Sequence, residues 1–392
     1  MKLKTASKIS LLSLLPLVSC GEKPIDVQVT NSTGAELGVK IMELPASQIL
    51  KRLKSKAFYI TNEKGEEIPS QLSYDSLILF PTEIAVNETQ LFKIHPSDTL
   101  HKYPSTVWGD LYPKRRDDLS YENELVGFRI YGLGTQRAGE RAYGYDIFFK
   151  HPTEELIVPH LYSLQTDDSN WTKADSLRKI DNTLAEEFIN SFSYHIDHGK
   201  GMDCYAVGPT LGDGVTAILE NDSIFYPWCY QSAEILDNGP IRFTASLKFP
   251  MTSLDSTSNI IENRIISLDS YSFLNRCKVW FEGMNREVDL VTGFPLRDES
   301  KTVVNLTDGI LAYADPTQGE NNGKALLGIK TATRPDSSLE KDNHVLLVSH
   351  LSPSEKFEYK WGFSWDKTEI PTMEEWVEYL EKADMNYSVT IK

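Results

Sequence analysis

Phe357-Glu358-Tyr359-Lys360-Trp361-Gly362-Phe363-Ser364-Trp365 alternates large aromatic residues with polar or small ones. Successive strand side chains point to opposite faces, so this spacing predicts a strand with one face on a core. Ile241, Phe243, Ala245, Leu247 and Phe249 alternate with Arg242, Thr244, Ser246 and Lys248 in the same way. Further strands are expected at 25–30, 58–61, 77–80, 91–95, 125–131, 143–149, 260–268, 276–282, 303–306, 345–349 and 387–391. Many are bounded by Gly, Pro, Asn or Asp, the residues that turns use. Helices are fewer. Thr372-Met373-Glu374-Glu375 reads as a capping box, followed by an apolar stripe of Met373, Trp376, Val377 and Leu380. Leu177, Ile180, Leu184 and Phe188 predict a helix over 174–191, and 46–56 predicts a short one. Asp315–Asn322 and Arg334–Asn343 read as polar loops. Many strands with few helices predict an all-β sandwich of large sheets.

The chain has 392 residues, 40% of them hydrophobic and 24% charged. That balance excludes a disordered tail, a collagen and a coiled coil. Forty Lys and Arg against 56 Asp and Glu give a formal charge of −16, which argues against a nucleic-acid partner. Lys2, Lys4 and Lys8 precede an apolar run from Ile9 to Val18 that ends in Leu17-Val18-Ser19-Cys20. This order is a secretory signal with a bacterial lipobox, cleaved before Cys20 and lipidated there. Residues 1–20 are then a signal peptide and 21–392 one large sandwich domain. Loss of the three lysines takes the formal charge from −16 to −19. Gly21 after the cysteine fits an outer-membrane lipoprotein that meets the membrane through its anchor only. Cys204, Cys229 and Cys277 remain, an odd number with no zinc-site spacing. They are expected to be buried as small apolar residues.

Candidate chemistry gathers in two stretches. Tyr194-His195-Ile196-Asp197-His198-Gly199-Lys200-Gly201-Met202-Asp203 holds two histidines, two aspartates and two glycines. His195 and His198 suit acid–base work or metal ligation, with Asp197 or Asp203 orienting an imidazole. A solvated loop after a helix has the same composition. The second stretch runs from Glu122-Asn123-Glu124 through Phe128-Arg129-Ile130-Tyr131 to Gly139-Glu140-Arg141-Ala142-Tyr143-Gly144-Tyr145-Asp146. Arg129 lies mid-strand, where a charge needs a partner. Arg141 offers a two-pronged fork for a carboxylate. Tyr143 and Tyr145 would share a strand face. A surface ion-pair network with core tyrosines is the plainer account. Trp108, Trp228, Trp361 and Trp365 offer flat faces for sugar rings or for core packing. Gly208-Pro209-Thr210-Leu211-Gly212-Asp213-Gly214 reads as a tight turn, since no strand–GxGxxG–helix setting surrounds it. His95, His101, His151, His160, His344 and His350 are scattered and read as structural or surface residues.

Taken together, several segments resemble the bacterial family called domain of unknown function 4861. They are Phe128–Tyr131, Ala142–Lys150, Tyr194–His195 with Gly201–Asp203 and Val207–Gly212, Gly239–Arg242, Phe273–Arg276, Lys360–Trp365 and Glu374–Trp376. The resemblance implies a β-supersandwich of the galactose-mutarotase type in an exported polysaccharide-degradation system. It also implies an activity: dehydration of a uronic acid at the non-reducing end of an oligosaccharide to a 4,5-unsaturated sugar. Under that activity, His195, His198, Tyr145 and Asp203 are the catalytic candidates. Arg129, Glu140, Arg141, Tyr143, Asp197 and Trp361 are the substrate-binding candidates. No cofactor is required by the sequence. A divalent cation could neutralise the sugar carboxylate in place of the arginines. Two other classes stay open: a glycoside hydrolase using a pair among Glu124, Glu140, Asp197 and Asp203, and a carbohydrate-binding lipoprotein without catalysis.

Overall fold

The computed structural model describes residues 23–153, 155–254, 259–298, 300–319 and 321–392. The signal peptide and Cys20 lie outside the described residues. The fold is an antiparallel all-β sandwich with few helices. Its largest sheet has nine strands, running from Ser232–Asn238 at one edge to Thr302–Asn305 at the other. Strand Phe357–Trp365 lies inside it, between Leu274–Glu282 and Lys324–Thr331. Its five aromatic residues are buried, as the alternation predicts. Gly362 and Ser364 are buried too, because helix Met373–Glu381 crosses the outer face of this sheet and buries Trp376. Gly328 makes that crossing possible: a Cβ there would lie 2.7 Å from the Trp376 ring. The capping box forms as expected, with Thr372 accepting from the Glu375 amide and Glu375 reaching back. Thr372→Ala is therefore expected to cost about 1 kcal/mol in urea unfolding, and no loss would discount the cap.

Two five-stranded sheets share this core. One is ordered Gly201–Met202, Asp146–Lys150, Gly127–Ile130, Asp118–Glu122, Trp108–Tyr112. It sets Phe128 against Trp361 and Phe363, and Phe149 against Phe363 and Trp365. The other is built around Val288–Pro295 and His344–Leu351. A smaller, separate core lies in the N-terminal quarter, where Val27, Val29, Met42, Leu44, Phe58, Phe80 and Phe92 pack together. The last strand of the described residues, Ser388–Ile391, pairs with the first of them, Ile25–Thr30. Gln71 joins it to the main sandwich by bonding the backbone of Ile241 and Arg242.

Several expectations need correction. The helix over 174–191 is two helices, Asp168–Arg178 and Asn182–Asn190. Asp181 breaks it by capping the Thr183 amide at 2.7 Å, a local bond that competes with helix continuation. Ile180 is consequently 78% exposed rather than part of an apolar stripe. Asp315 belongs to strand Ile310–Pro316 and is buried, with Arg297 Nε at 3.0 Å. Residues 334–343 contain an edge strand, Ser337–Lys341. A further helix, Val158–Gln165, begins where the buried Glu122 carboxylate accepts the Ile157 and Val158 amides. The three cysteines are free and buried. No helix among the described residues is long and apolar enough to cross a membrane.

Candidate active site

Strand Gly127–Ile130 sets Arg129 opposite Asp146 on one neighbour and Ser120 on the other. The Arg129 side chain is buried. Its Nε donates to Asp118 Oδ2 at 2.8 Å and its Nη1 to Asp146 Oδ2 at 3.3 Å, with Asp203 Oδ2 at 3.7 Å. Tyr131 donates its hydroxyl to the same Asp146 oxygen at 2.5 Å, and its ring lies 4.6 Å from the guanidinium carbon. Three carboxyl groups thus crowd one guanidinium. Burial pushes Asp118 up to about 6. It raises Asp146 as well, and holds Asp203 well above the ordinary value, where the Asp146 charge adds to burial. Burial thus moves all three carboxyls in the same direction, toward releasing their protons at higher pH than exposed aspartates do.

Asp203 ties this cluster to the histidine loop. Its amide donates to the Tyr194 carbonyl at 2.8 Å, and its own carbonyl lies 2.8 Å from His195 Nδ1. A bond to a carbonyl fixes Nδ1 as the donor, so in neutral His195 the other nitrogen, Nε2, is the basic one. The His195 side chain is 57% exposed, and Asp203 Oδ2 is 3.9 Å from Nδ1. Beneath the imidazole, at 4.3 Å between ring centres, lies the Tyr194 ring. The Tyr194 hydroxyl accepts from Arg115, whose Nε is buried and has no partner.

Arg115 also opens onto a cavity of about 610 Å³ lined by Lys114, Arg115, Arg116, Gln165, Thr166, Asp168 and Trp171. Gln165 Oε1 and the nearby Tyr162 hydroxyl are buried without partners as well. Buried polar atoms left unpaired mark places where water or a polar ligand completes the bonding. The cations reach the cavity through a short 3₁₀ turn, Pro113–Arg115, followed by Arg116 and Asp117 at φ of 60° and 61°. Such left-handed non-glycine residues cost on the order of 1–3 kcal/mol each and gather at functional sites. The turn presses on Gly132, where a Cβ would lie 2.0 Å from the Asp117 carbonyl oxygen.

Residues 29–392 match the family described as Domain of unknown function (DUF4861). The chain belongs to that family. It is 26% identical over 314 residues to "Uncharacterized protein P7" of Formosa agariphila, covering 78% of this chain and 74% of that one. Among solved structures it is similar to a protein in glycosyl hydrolase family 38 from Enterococcus faecalis, with a TM-score of 0.48 and 10% identity. It is also similar to an alpha-mannosidase from Enterococcus faecalis V583, with a TM-score of 0.47 and 9% identity. Each likeness covers 95% of this chain but 48% and 46% of the other, so the chain spans about half their length.

Within this DUF4861 protein, Asp203 Oδ2 lies 3.7 Å from Arg129 Nη1 and 3.9 Å from His195 Nδ1. Arg129, however, is 4% exposed and its donors are engaged by Asp118 and Asp146. It organises the floor of the site and does not reach a substrate. Asp146, Asp118, Tyr131 and Arg115 complete the cluster; Tyr131 and Asp146 lie in the second quoted stretch without being singled out, and Asp118 and Arg115 were missed. Tyr145 is buried too, its hydroxyl 3.0 Å from Arg264 Nη1 and its ring stacked on Trp361 at 3.8 Å. Neither Tyr145 nor Trp361 has surface to offer a sugar, so both are core residues. Strand Asp146–Lys150 starts after Tyr145, and Tyr143 lies before it, half-buried among Tyr226 and Trp228. Asp197 holds the loop by accepting from Gly199 and Gly201 and pairing with His151 Nε2 at 2.8 Å. His198 Nε2 lies 3.2 Å from the Ser193 carbonyl. Glu140 pairs with Arg116, and Arg141 is exposed. The four acids considered for hydrolysis have different partners: Glu124 meets the Tyr271 amide, Glu140 meets Arg116, Asp197 meets His151 and Asp203 meets Arg129. Among the described residues no three His, Cys, Asp or Glu side chains form a metal-binding group.

Proposed function

We propose that this protein is an exported carbohydrate-active lyase, anchored at the outer membrane through Cys20, that dehydrates a non-reducing-end uronic acid of an oligosaccharide. The observation that carries the proposal is the exposed His195, braced by Asp203 and linked through Tyr194 and Arg115 to a cation-lined cavity. The C5 proton of a uronate is weakly acidic because the adjacent carboxylate is already negative. Removing it requires that charge to be neutralised as more develops. Arg115 and its neighbouring cations supply this neutralisation. His195 Nε2 takes the C5 proton, and the C5–H electron pair becomes the C4–C5 double bond. The C4–O bond breaks as the imidazolium returns its proton to the departing hydroxyl. One water leaves, and the imidazole ends neutral.

The test is incubation of the purified protein with oligosaccharides capped by different uronic acids. The expected result is rising ultraviolet absorbance from the conjugated double bond and a product lighter by one water. A folded protein that gives neither with any uronate cap ends this reading. Release of a monosaccharide without the absorbance would replace it with hydrolysis.

A further inference from the structure

The structure carries an aromatic surface that the reaction above does not use. Trp228 is 50% exposed, and no other tryptophan of the described residues is among the exposed large apolar side chains. Its ring centre is 6.3 Å from that of Tyr143 at 74°, and Tyr143 lies 5.8 Å from Tyr226 at 33°. Three rings thus form one partly open cluster, with exposed Arg141 two residues before Tyr143.

The cluster is fastened to the walls of the candidate site. Cys229 donates its thiol to the Ala142 carbonyl at 3.3 Å. The Tyr230 amide donates to the Tyr131 carbonyl at 3.2 Å, and Tyr230 forms a bridge with Gly132. The Tyr230 hydroxyl donates to the Asp117 carbonyl, in the turn that follows Arg115 and Arg116. Trp228 therefore stands two residues from Tyr230, which is bonded both to Tyr131, next after strand Gly127–Ile130, and to the cationic turn. Sugar rings present C–H faces that suit the negative face of an aromatic ring.

We propose that Trp228, with Tyr143 and Tyr226, is a stacking subsite for an uncharged sugar ring of the same oligosaccharide whose terminal uronate is dehydrated. This rests on the reading of the protein as a uronate-oligosaccharide enzyme. It makes chain length, rather than the uronate alone, the determinant of affinity.

The experiment compares wild type with Trp228→Ala on uronate-capped oligosaccharides of two sugars and of four or more. For the longer substrates KM is expected to rise about tenfold. For the disaccharide KM should hold, and kcat should hold for both. Tyr143→Ala should act in the same direction and Tyr143→Phe should not. Equal KM changes at both lengths, or none, overturn the subsite. Calorimetric binding of the same oligosaccharides separates the two ideas. Length-dependent affinity lost in Trp228→Ala, without any double-bond absorbance, keeps the subsite and removes the dehydratase. Absorbance with length-independent affinity does the reverse.

Discussion

Replacing His195 with alanine is expected to lower kcat on a uronate-capped oligosaccharide by ~10²–10⁴-fold, the usual contribution of a positioned general base. KM should change little, because in the proposed reaction the cations of the 114–116 turn and not the imidazole hold the carboxylate. The fold should also be indifferent. The side chain is 57% exposed and bonds the protein through Nδ1 alone among the described contacts. Surface substitutions of that kind stay within about 0.5 kcal/mol. A matched substitution, Arg115→Gln, should split the other way. It removes charge from the cavity and the bond to Tyr194, so KM should rise as kcat falls. The decisive measurement is initial rate by double-bond absorbance, with urea midpoints for each variant. A His195→Ala protein that is folded and fully active would remove the imidazole from the reaction, whatever the substrate proves to be.

The two halves of the molecule were unequally legible in its sequence. The sandwich followed from period-2 alternation, because a strand between two neighbours and against a core has no other solution for aromatic residues at 357–365. The helical segment at 174–191 failed for a local reason: Asp181 caps a new helix, and a one-dimensional apolar stripe takes no account of a side chain that competes for the backbone. The site was legible where composition is unusual, as in the Gly, His and Asp density of 194–203. Arg129 was recognisable as a buried charge needing partners, yet its partners were not. Asp118 and Asp146 meet it only through strand register, 11 and 17 residues away in sequence. Arg115 was missed because Lys114-Arg115-Arg116-Asp117-Asp118 looks like any solvated run of charges. Only the folded chain turns one guanidinium inward and leaves its Nε buried without a partner.

The same cluster makes stability depend on pH, and Arg129→Met exposes the dependence. Methionine fills the stem of the arginine but leaves Asp118, Asp146 and Asp203 buried with only the Arg115 charge to oppose theirs. Breaking a buried ion pair from one side costs about 3–5 kcal/mol, which would be a large part of a typical domain's stability. In the wild type all three carboxyls are already raised above the ordinary aspartate value by burial. The folded state therefore binds more protons than the unfolded one over the intervening range. Their stabilising contribution is complete below about 4, the ordinary value, and is lost as pH rises, through about 6 for Asp118, with Asp146 and Asp203 shifted in the same direction. Arg129 opposes those rises by its charge. Without it they grow, so the variant should be worst at pH 8 and recover most of its deficit near pH 5, where the carboxyls take up protons instead. Urea unfolding of both proteins at pH 5, 6.5 and 8 measures the gap directly. A gap that is constant across that range would mean that Arg129 acts by packing rather than by charge. A gap below 1 kcal/mol at pH 8 would mean that the three aspartates are not held by it at all.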